Sequence, residues 1–473
     1  MKILFIQPPQ QMQRLYYTKK IHKLYSKKGV VLPPLGVAYL AAYMRNRGYE
    51  VGIIDGYAIH YTKEEMIEKI KEHNPDFLMF GVITASLKIT VEWMEYIKSK
   101  LNIKMILGGP HTLSYPKETL EMYNVVDYIV IGEAWETLPE LMESLKSKKD
   151  LSKVKGIGYK DREGKIIITA PRPRRTDYWK GIPHPARDLL PNERYSTLIS
   201  KRRPVSTMLT ATGCPYKCTY CSTDKTAFYR DYKDVVDEME ECADKYGIKE
   251  IIFYDETFTI NQPRAEKICN EIIRRGLNKR LTFSIRTRAD CVNKELLQLI
   301  AKAGCVRVNY GIESANEEIL HKMKRYMPRE KIEQAVKWTQ EAGMSPFGFF
   351  IIGFPGETEE SVKETIEFAK SLDLDYVQIN KLTPIAGTPL YDDVIDEIGR
   401  DYWKDFTVGK TTESDEIRVP GCKLSSKELD EWLKKAYRSF YLRPSYVFKM
   451  ISKVRSFREF RELASAAVTV ISQ

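Results

Sequence analysis

Apolar runs of four to eight residues recur along roughly the first 145 positions, and stretches with apolar residues every three or four places lie between them. "KILFIQ" (2–7), "YEVGIID" (49–55), "FLMFGVIT" (77–84), "KMILGG" (104–109) and "YIVIGE" (128–133) read as buried strands. "LGVAYLAAYMRNRG", "KEEMIEKIKEHN", "ITVEWMEYIKSKL" and "TLPELMESLKS" read as the helices between them. This alternation predicts a doubly wound parallel α/β sheet, whose ligands bind at the carboxyl ends of the strands. Those ends are 7–9, 55–57, 84–86, 108–111 and 132–136.

From about 150 to 200 the pattern changes. "GIGYKDREGKIIITAPRPR" predicts a hairpin turning at Gly164, then a connector rich in proline and arginine. A second alternation starts near 205, with strands at 205–212, 250–256, 281–289, 305–314, 345–354 and 376–384. Six strand–helix units with short loops predict a partial barrel, again with its site at the carboxyl rim. The remainder is charged and helical. The expected division is 1–149, a hairpin and linker at 150–200, a partial (β/α)6 barrel at 201–395, and a helical segment at 396–473.

Composition narrows the setting. The 473 residues are 43% apolar and 29% charged, as in an ordinary soluble chain. Lys and Arg outnumber Asp and Glu 75 to 64, and the excess is spread along the chain, which reads as a solvated lysine-rich surface. No feature asks for nucleic acid. Eight cysteines in such a length do not make a disulfide framework; they point to a reducing compartment, the cytoplasm. "MKILFIQPPQ" is too short for a signal peptide, and no apolar run reaches a membrane span.

The chemistry concentrates in "TATGCPYKCTYCS", which carries Cys214, Cys218 and Cys221 directly after the first barrel strand. Structural zinc takes four protein ligands. Three thiols and an open position on a catalytic rim suit an iron–sulfur cluster whose fourth iron takes a substrate or cofactor. Cys242, Cys269, Cys291, Cys305 and Cys422 are isolated and read as small buried hydrophobes.

The C-x₃-C-x₂-C spacing, with Tyr220 before the last cysteine, resembles the radical S-adenosylmethionine superfamily, and the resemblance covers roughly 200–395. It implies a [4Fe–4S] cluster, S-adenosylmethionine on the open iron, and an external one-electron reductant, a ferredoxin or flavodoxin. One electron from the cluster then yields a 5′-deoxyadenosyl radical that takes a hydrogen atom from substrate. The strand ends supply family-like partners for S-adenosylmethionine. "FYDETF" gives Asp255 and Glu256 for its ammonium, although it departs from the usual Gly-Gly-Glu form. "SIRTRAD" gives Ser284, Arg286 and Arg288 for carboxylate and ribose, and "YGIES" gives Glu313 and Ser314. "IIGFPGET" gives Gly353 and Gly356 for close approach to adenine.

On its residues alone, the first domain suits a nucleotide, flavin or cobalamin, or a docking role; it lacks G-x-G-x-x-G. "PPLGVAYLAAYMRNRGYEVGIID", "GGPH" and "DYIVIGEAWETLPEL" resemble the flavodoxin-like, cobalamin (B12)-binding domain of one radical S-adenosylmethionine subclass. That subclass includes magnesium-protoporphyrin monomethyl ester cyclase-like enzymes and class B methyltransferases. The resemblance implies that Thr84, Ala85, Ser86, Gly108, Gly109, Pro110, His111, Gly132 and Glu133 line the corrin. The D-x-H-x-x-G ligand motif is absent, since Asp55 and His60 are wrongly spaced for it. Methylthiotransferases, which carry more cysteines in this domain, are disfavoured because none precedes 214.

The expected activity is hydrogen abstraction from an unactivated carbon, followed by methyl transfer from methylcobalamin. Oxidative cyclisation, rearrangement or carbon–carbon coupling on a large apolar substrate, a porphyrin or lipid, is the alternative within the class. A cobalamin-free radical enzyme and a non-catalytic iron–sulfur electron carrier are the alternatives outside it. "AYRSFYLRPSYVFKMISKVRSFREFREL" (436–463) is basic and aromatic; it suits a helical cap on the barrel or a contact with anionic lipid.

Overall fold

The computed structural model describes residues 1–9, 31–411 and 417–453. They fold as two compact units, the first of residues 1–9, 31–195 and 401–411, the second of 196–400 and 417–453.

The first unit is built on strands β1 (Lys2–Gln7), β2 (Glu50–Asp55), β3 (Phe77–Gly81), β4 (Lys104–Gly108), β5 (Tyr128–Val130), β6 (Ile157–Lys160) and β7 (Ile166–Ile168), in the order β2-β1-β3-β4-β5-β6-β7. Strands β1 to β5 are parallel. Ile3 to Ile6 are fully buried because helices cover both faces of a parallel sheet, which explains unbroken apolar runs. The order reverses at β1, so the crevice beside β1 and β3 is the topological switch point where such sheets bind ligands. The hairpin does not stand apart: β6 pairs antiparallel with β5, and β7 with β6, so it widens this sheet. Gly164 makes its turn at φ +82°. Residues 401–411 also pack here. Tyr115 Oη donates to Asp401 (2.9 Å), Tyr123 Oη to the Thr407 carbonyl (2.9 Å) and Lys88 Nζ to the Thr411 carbonyl (2.6 Å).

The second unit contains β8 (Val205–Met208), a two-stranded ribbon of β9 (Ala211–Thr212) and β10 (Phe228–Tyr229), and then β11 (Glu250–Phe253), β12 (Thr282–Thr287), β13 (Cys305–Glu313), β14 (Ser345–Ile352) and β15 (Tyr376–Lys381). Strands β8 and β11 to β15 form one parallel sheet in sequential order, with β8 and β15 at its edges. This is the open, partial barrel that six strand–helix units predict. Side chains alternate across a strand. Phe253, Phe283, Ile285, Val308, Phe350 and Ile379 therefore share one face, packed into the apolar layer under the helices. The opposite parity brings Thr207, Ser284, Arg286, Arg307, Asn309 and Gln378 to the inner face. Closed barrels fill that space with branched apolar side chains; here polar side chains share it with Phe347 and Phe349, a mixed lining that suits a ligand with polar groups and a flat ring.

The edge strand β15 is closed by tyrosines. On helix Ser426–Tyr441, Tyr437 Oη donates to the Ile379 carbonyl (3.1 Å) and accepts from its N–H (3.1 Å). Tyr441 Oη does the same for Val377 at 2.9 and 3.0 Å, and Tyr446 Oη donates to the Asp375 carbonyl at 2.8 Å. Four helical residues advance about 6 Å and two strand residues about 6.6 Å, so the hydroxyls fall in step with the strand. The aromatic spacing of the C-terminal segment is thus a cap on the sheet, and its part beyond 453 lies outside the described residues. No helix among the described residues is long and apolar enough to cross a membrane.

Replacing Tyr441 by Phe keeps the ring and removes both bonds to Val377. The unfolding midpoint in urea should fall by the equivalent of about 1 kcal/mol; an unchanged midpoint would show that water serves the edge equally well.

Candidate active site

The cysteine loop, 213–227, hangs between β9 and β10. Gly213 opens it at φ +83°, and a Cβ there would collide with the Thr226 carbonyl, so glycine is required twice over. With no regular structure of its own, the loop is held by backbone bonds. Cys214 N–H donates to the Asp224 carbonyl at 2.7 Å. Thr219 N–H donates to the Met323 carbonyl (3.1 Å), and its carbonyl accepts from Leu390 N–H (3.0 Å). The segment after β15 therefore braces the loop. Cys218 is buried, while Cys214 and Cys221 are half-buried.

None of the eight cysteines is in a disulfide. Cys242, Cys269 and Cys305 sit in the apolar layer, and burial pushes the Cys305 thiol up to about 12. Cys291 lies 3.3 Å from Tyr216 Oη, and Cys422 donates to the Leu424 carbonyl. Enclosed in the apolar layer, Cys242, Cys269 and Cys305 offer no fourth ligand to the triplet. Among the described residues no three His, Cys, Asp or Glu side chains converge on a single-ion site. A cubane takes each thiolate on a different iron and needs no such convergence, so the donor set fits a [4Fe–4S] cluster with one iron left open.

Beneath the loop, Asp255 is fully buried and both of its oxygens are engaged by Thr210, one by the N–H at 2.7 Å and one by the hydroxyl. Burial raises its pKa against these bonds. Arg264 donates to the Thr210 and Arg230 carbonyls. Asp255 thus fixes the root of the loop, and of the two acids in "FYDETF" only Glu256 stands exposed.

On β12 and the residue after it, Ser284, Arg286 and Arg288 face one way, as alternation demands. Ser284 is fully buried and its hydroxyl has no partner among the described residues. The Arg286 guanidinium lies over the Tyr254 ring, 4.0 Å from its centroid. Arg288 lies over Tyr216 (3.8 Å) and forms a fork with Asp290 at 2.9 and 2.7 Å, leaving Nη1 buried without a partner among the described residues. A buried hydroxyl and a buried N–H without partners, on the inner face, fit a polar cofactor.

On β13 the register shifts between Gly311 and Glu313, and Glu313 adopts φ +71°, rare for a residue with a side chain. Burial pushes the pKa of its carboxyl up, against the opposing pull of Arg325 and Tyr220 beside it. Tyr220 also packs edge-on against Phe354 at 6.3 Å. Ser314 turns elsewhere, to the Thr365 hydroxyl (3.1 Å) and Asn316 N–H (3.1 Å). Gly353 and Gly356 both have positive φ, +94° and +92°. Their Cβ directions point at the Leu429 side chain and at Lys322 Nζ, so these directions are filled by protein. Arg325, missed from the sequence, lies 3.8 Å from Cys218 Sγ. "HKMKRYMPRE" gives no hint of it, because it reads as a run of surface charge.

In the first unit, Thr84–Ser86 forms a 3₁₀ turn after β3, and Ser86 Oγ donates to the Ile83 carbonyl at 3.0 Å. Gly109, at φ +106°, lies where a Cβ would be 2.6 Å from the Val82 carbonyl; only glycine lets these two strand ends approach. Pro110 is exposed, and Thr84, Ala85, Gly132 and Glu133 are partly so, whereas Gly108 is buried. His111 is buried with both ring nitrogens bonded, Nδ1 to Thr84 (3.2 Å) and Nε2 to Thr119 (2.8 Å). Thr119 Oγ1 donates to the Tyr115 carbonyl, so it accepts from Nε2–H, and Nδ1 accepts from Thr84. Burial lowers the pKa of this neutral imidazole to about 4. Glu133 pairs with Arg174 at 3.2 Å, and its Oε2 is buried without a partner. A carboxylate oxygen lacking a donor at this rim fits the amide side chains of a corrin.

Residues 208–369 match the Radical SAM superfamily, and residues 22–142 match the B12 binding domain. An uncharacterized methyltransferase, PH0819, of Pyrococcus horikoshii is 34% identical over 97% of this chain and 96% of its own. The anaerobic magnesium-protoporphyrin IX monomethyl ester cyclase of Cereibacter sphaeroides is 30% identical over 89% of this chain and 70% of its own. Among solved structures, the radical S-adenosylmethionine methyltransferase TsrM of Kitasatospora setae, with cobalamin and a [4Fe–4S] cluster bound, superposes with a TM-score of 0.67 at 20% identity, covering 83% of this chain and 78% of that one. The chain belongs to the radical S-adenosylmethionine superfamily, in the group that carries an N-terminal B12-binding domain. It is an enzyme of that class, and its cofactors are a [4Fe–4S] cluster, S-adenosylmethionine and cobalamin.

Two outcomes follow from this geometry. Gly213→Ala should leave the helical circular dichroism signal intact while iron and sulfide content after reconstitution falls several-fold; full cluster loading would contradict the steric account. The unfolded chain binds a proton at the His111 position below about 6.5, and the folded chain only below about 4. Stability should therefore decline as pH falls across that window, by on the order of 3 kcal/mol. His111→Gln should remove that part of the slope in denaturation experiments, and an identical slope would refute the assignment.

Proposed function

We propose that the chain is a cobalamin-dependent radical S-adenosylmethionine C-methyltransferase acting on a small-molecule substrate. The observation that carries this is the anchored three-thiol loop at the rim of an open parallel sheet whose inner face carries Ser284, Arg286 and Asn309, in a chain with a B12-binding domain. When bound, the cluster with S-adenosylmethionine supplies a 5′-deoxyadenosyl radical, and cobalamin supplies a methyl group.

In this reading Cys214, Cys218 and Cys221 each hold one iron. Glu256 follows β11 and Arg286 lies on its neighbour β12; they offer a carboxylate and a guanidinium, the complement of the ammonium and carboxylate of an amino acid. Tyr254 stacks under Arg286 and holds its guanidinium in plane. Ser284 and Arg288 Nη1 supply unmatched polar groups to the remainder of S-adenosylmethionine, and Glu313, turned inward by its backbone, supplies an acceptor for ribose. Gly353 and Gly356 shape the turn that borders adenine. Asp255 acts indirectly, through Thr210. In the first unit Thr84, Ala85, Ser86, Gly108, Gly109, Pro110, Gly132 and Glu133 border the corrin, and His111 positions Thr84 from below.

A second reading, oxidative cyclisation of a tetrapyrrole, is favoured by the 30% identity to the cyclase. A lipid or tetrapyrrole substrate, peripheral membrane contact and a ferredoxin or flavodoxin as reductant belong to these proposals, as does a cytoplasmic location, which eight cysteines without a disulfide support.

Anaerobic protein reconstituted with iron, sulfide and hydroxocobalamin, then given S-adenosylmethionine and a strong reductant, should form both 5′-deoxyadenosine and S-adenosylhomocysteine. Absence of 5′-deoxyadenosine sinks the radical reading; 5′-deoxyadenosine without S-adenosylhomocysteine favours the cyclase. Arg286→Ala should weaken S-adenosylmethionine binding about tenfold or more, the value of a charged hydrogen bond. Unchanged saturation behaviour would remove Arg286 from the site.

A further inference from the structure

Cys218 is the most buried of the three clustered thiols, and its partner is unusual. Arg325 is 7% exposed, and its Nη1 lies 3.8 Å from Cys218 Sγ. Nη2 donates to the Gly311 carbonyl and lies 3.7 Å from Glu313 Oε1, while Nε is buried without a partner among the described residues. The fold makes room for this guanidinium. A Cβ at Gly311 would meet Arg325 Nη2 and Glu313 Oε1, each at 2.7 Å. The register shift and positive φ at Glu313 bring its carboxyl inward against the same group. Arg325 is delivered by the segment that also clamps the loop, since Met323, two residues earlier, accepts from Thr219 beside Cys218.

A buried guanidinium stays charged. Its field is weakly screened in the interior, and cluster potentials respond to nearby charge and to hydrogen bonds on sulfur. Accepting one electron makes the cluster and its thiolates more negative, so a positive N–H donor on one thiolate stabilises the reduced form more than the oxidised form. Glu313, on the far side of Arg325, opposes that effect.

We infer that Arg325 is a positioning residue that raises the reduction potential of the cluster through a charge-assisted N–H···S bond to Cys218, with Glu313 as its counterweight. This rests on the reading that Cys214, Cys218 and Cys221 hold a [4Fe–4S] cluster. The step concerned is the one-electron reduction of the oxidised cluster by a low-potential carrier, for which dithionite stands in below.

The test is an EPR-monitored redox titration of reconstituted full-length wild type, Arg325→Gln, Arg325→Lys and Glu313→Gln, with iron and sulfide measured for each. Arg325→Gln should disfavour reduction about tenfold, a midpoint lower by ~59 mV for one electron. Arg325→Lys should recover part of that shift, and Glu313→Gln should move the midpoint upward. A wild type that takes up no iron defeats the cluster reading. A cluster-loaded Arg325→Gln with the wild-type midpoint overturns the role of Arg325. Should Arg325→Gln hold no cluster, a Glu313→Gln midpoint at or below wild type overturns it equally.

Discussion

Three thiolates on a loop without secondary structure have to stand at fixed positions, and the two backbone hydrogen bonds of Thr219 are what allow it. One ties the loop to Met323 and the other to Leu390, segments more than 60 residues apart in sequence. Both bonds are backbone bonds, so they fix the path of the chain and leave the thiols free for metal. Thr210, gripped by Asp255 and Arg264, does the same at the loop's root. The open sheet, with its successive strand ends, is the frame that brings these distant anchors to one rim.

The same economy runs through the polar interior. Phe283 and Ile285 bind β12 to the helical layer, and strict alternation then obliges Ser284, Arg286 and Arg288 to face inward. At Glu313 alternation is broken by a register shift and a left-handed backbone, which costs on the order of 1 kcal/mol. Such strain persists where surrounding structure over-determines it, and it often marks a functional site. Here it places a carboxyl between Tyr220 and Arg325.

Both sheets and the cysteine loop were legible in the sequence because their signals are local: alternation, apolar runs, glycine turns and the spacing of three thiols. The pairing of the 157–168 hairpin with β5, and the tyrosines of 437, 441 and 446 that seal β15, were not, since each depends on a partner far along the chain. The candidate site divides the same way. Glu256, Ser284 and Arg286 follow from their places on strands. That Asp255 is engaged by Thr210, that His111 is enclosed by Thr84 and Thr119, and that Arg325 reaches Cys218 are facts of tertiary packing. A charged residue in a polar run looks the same in sequence whether it meets water or a thiolate.

The central claim is that the fourth iron is kept open for S-adenosylmethionine. The most direct measurement is the EPR spectrum of the reduced, reconstituted protein before and after S-adenosylmethionine is added. Coordination of that iron should change the g-values of the cluster signal, and the change should be lost in Cys218→Ala. A spectrum unaltered by saturating S-adenosylmethionine would contradict the account.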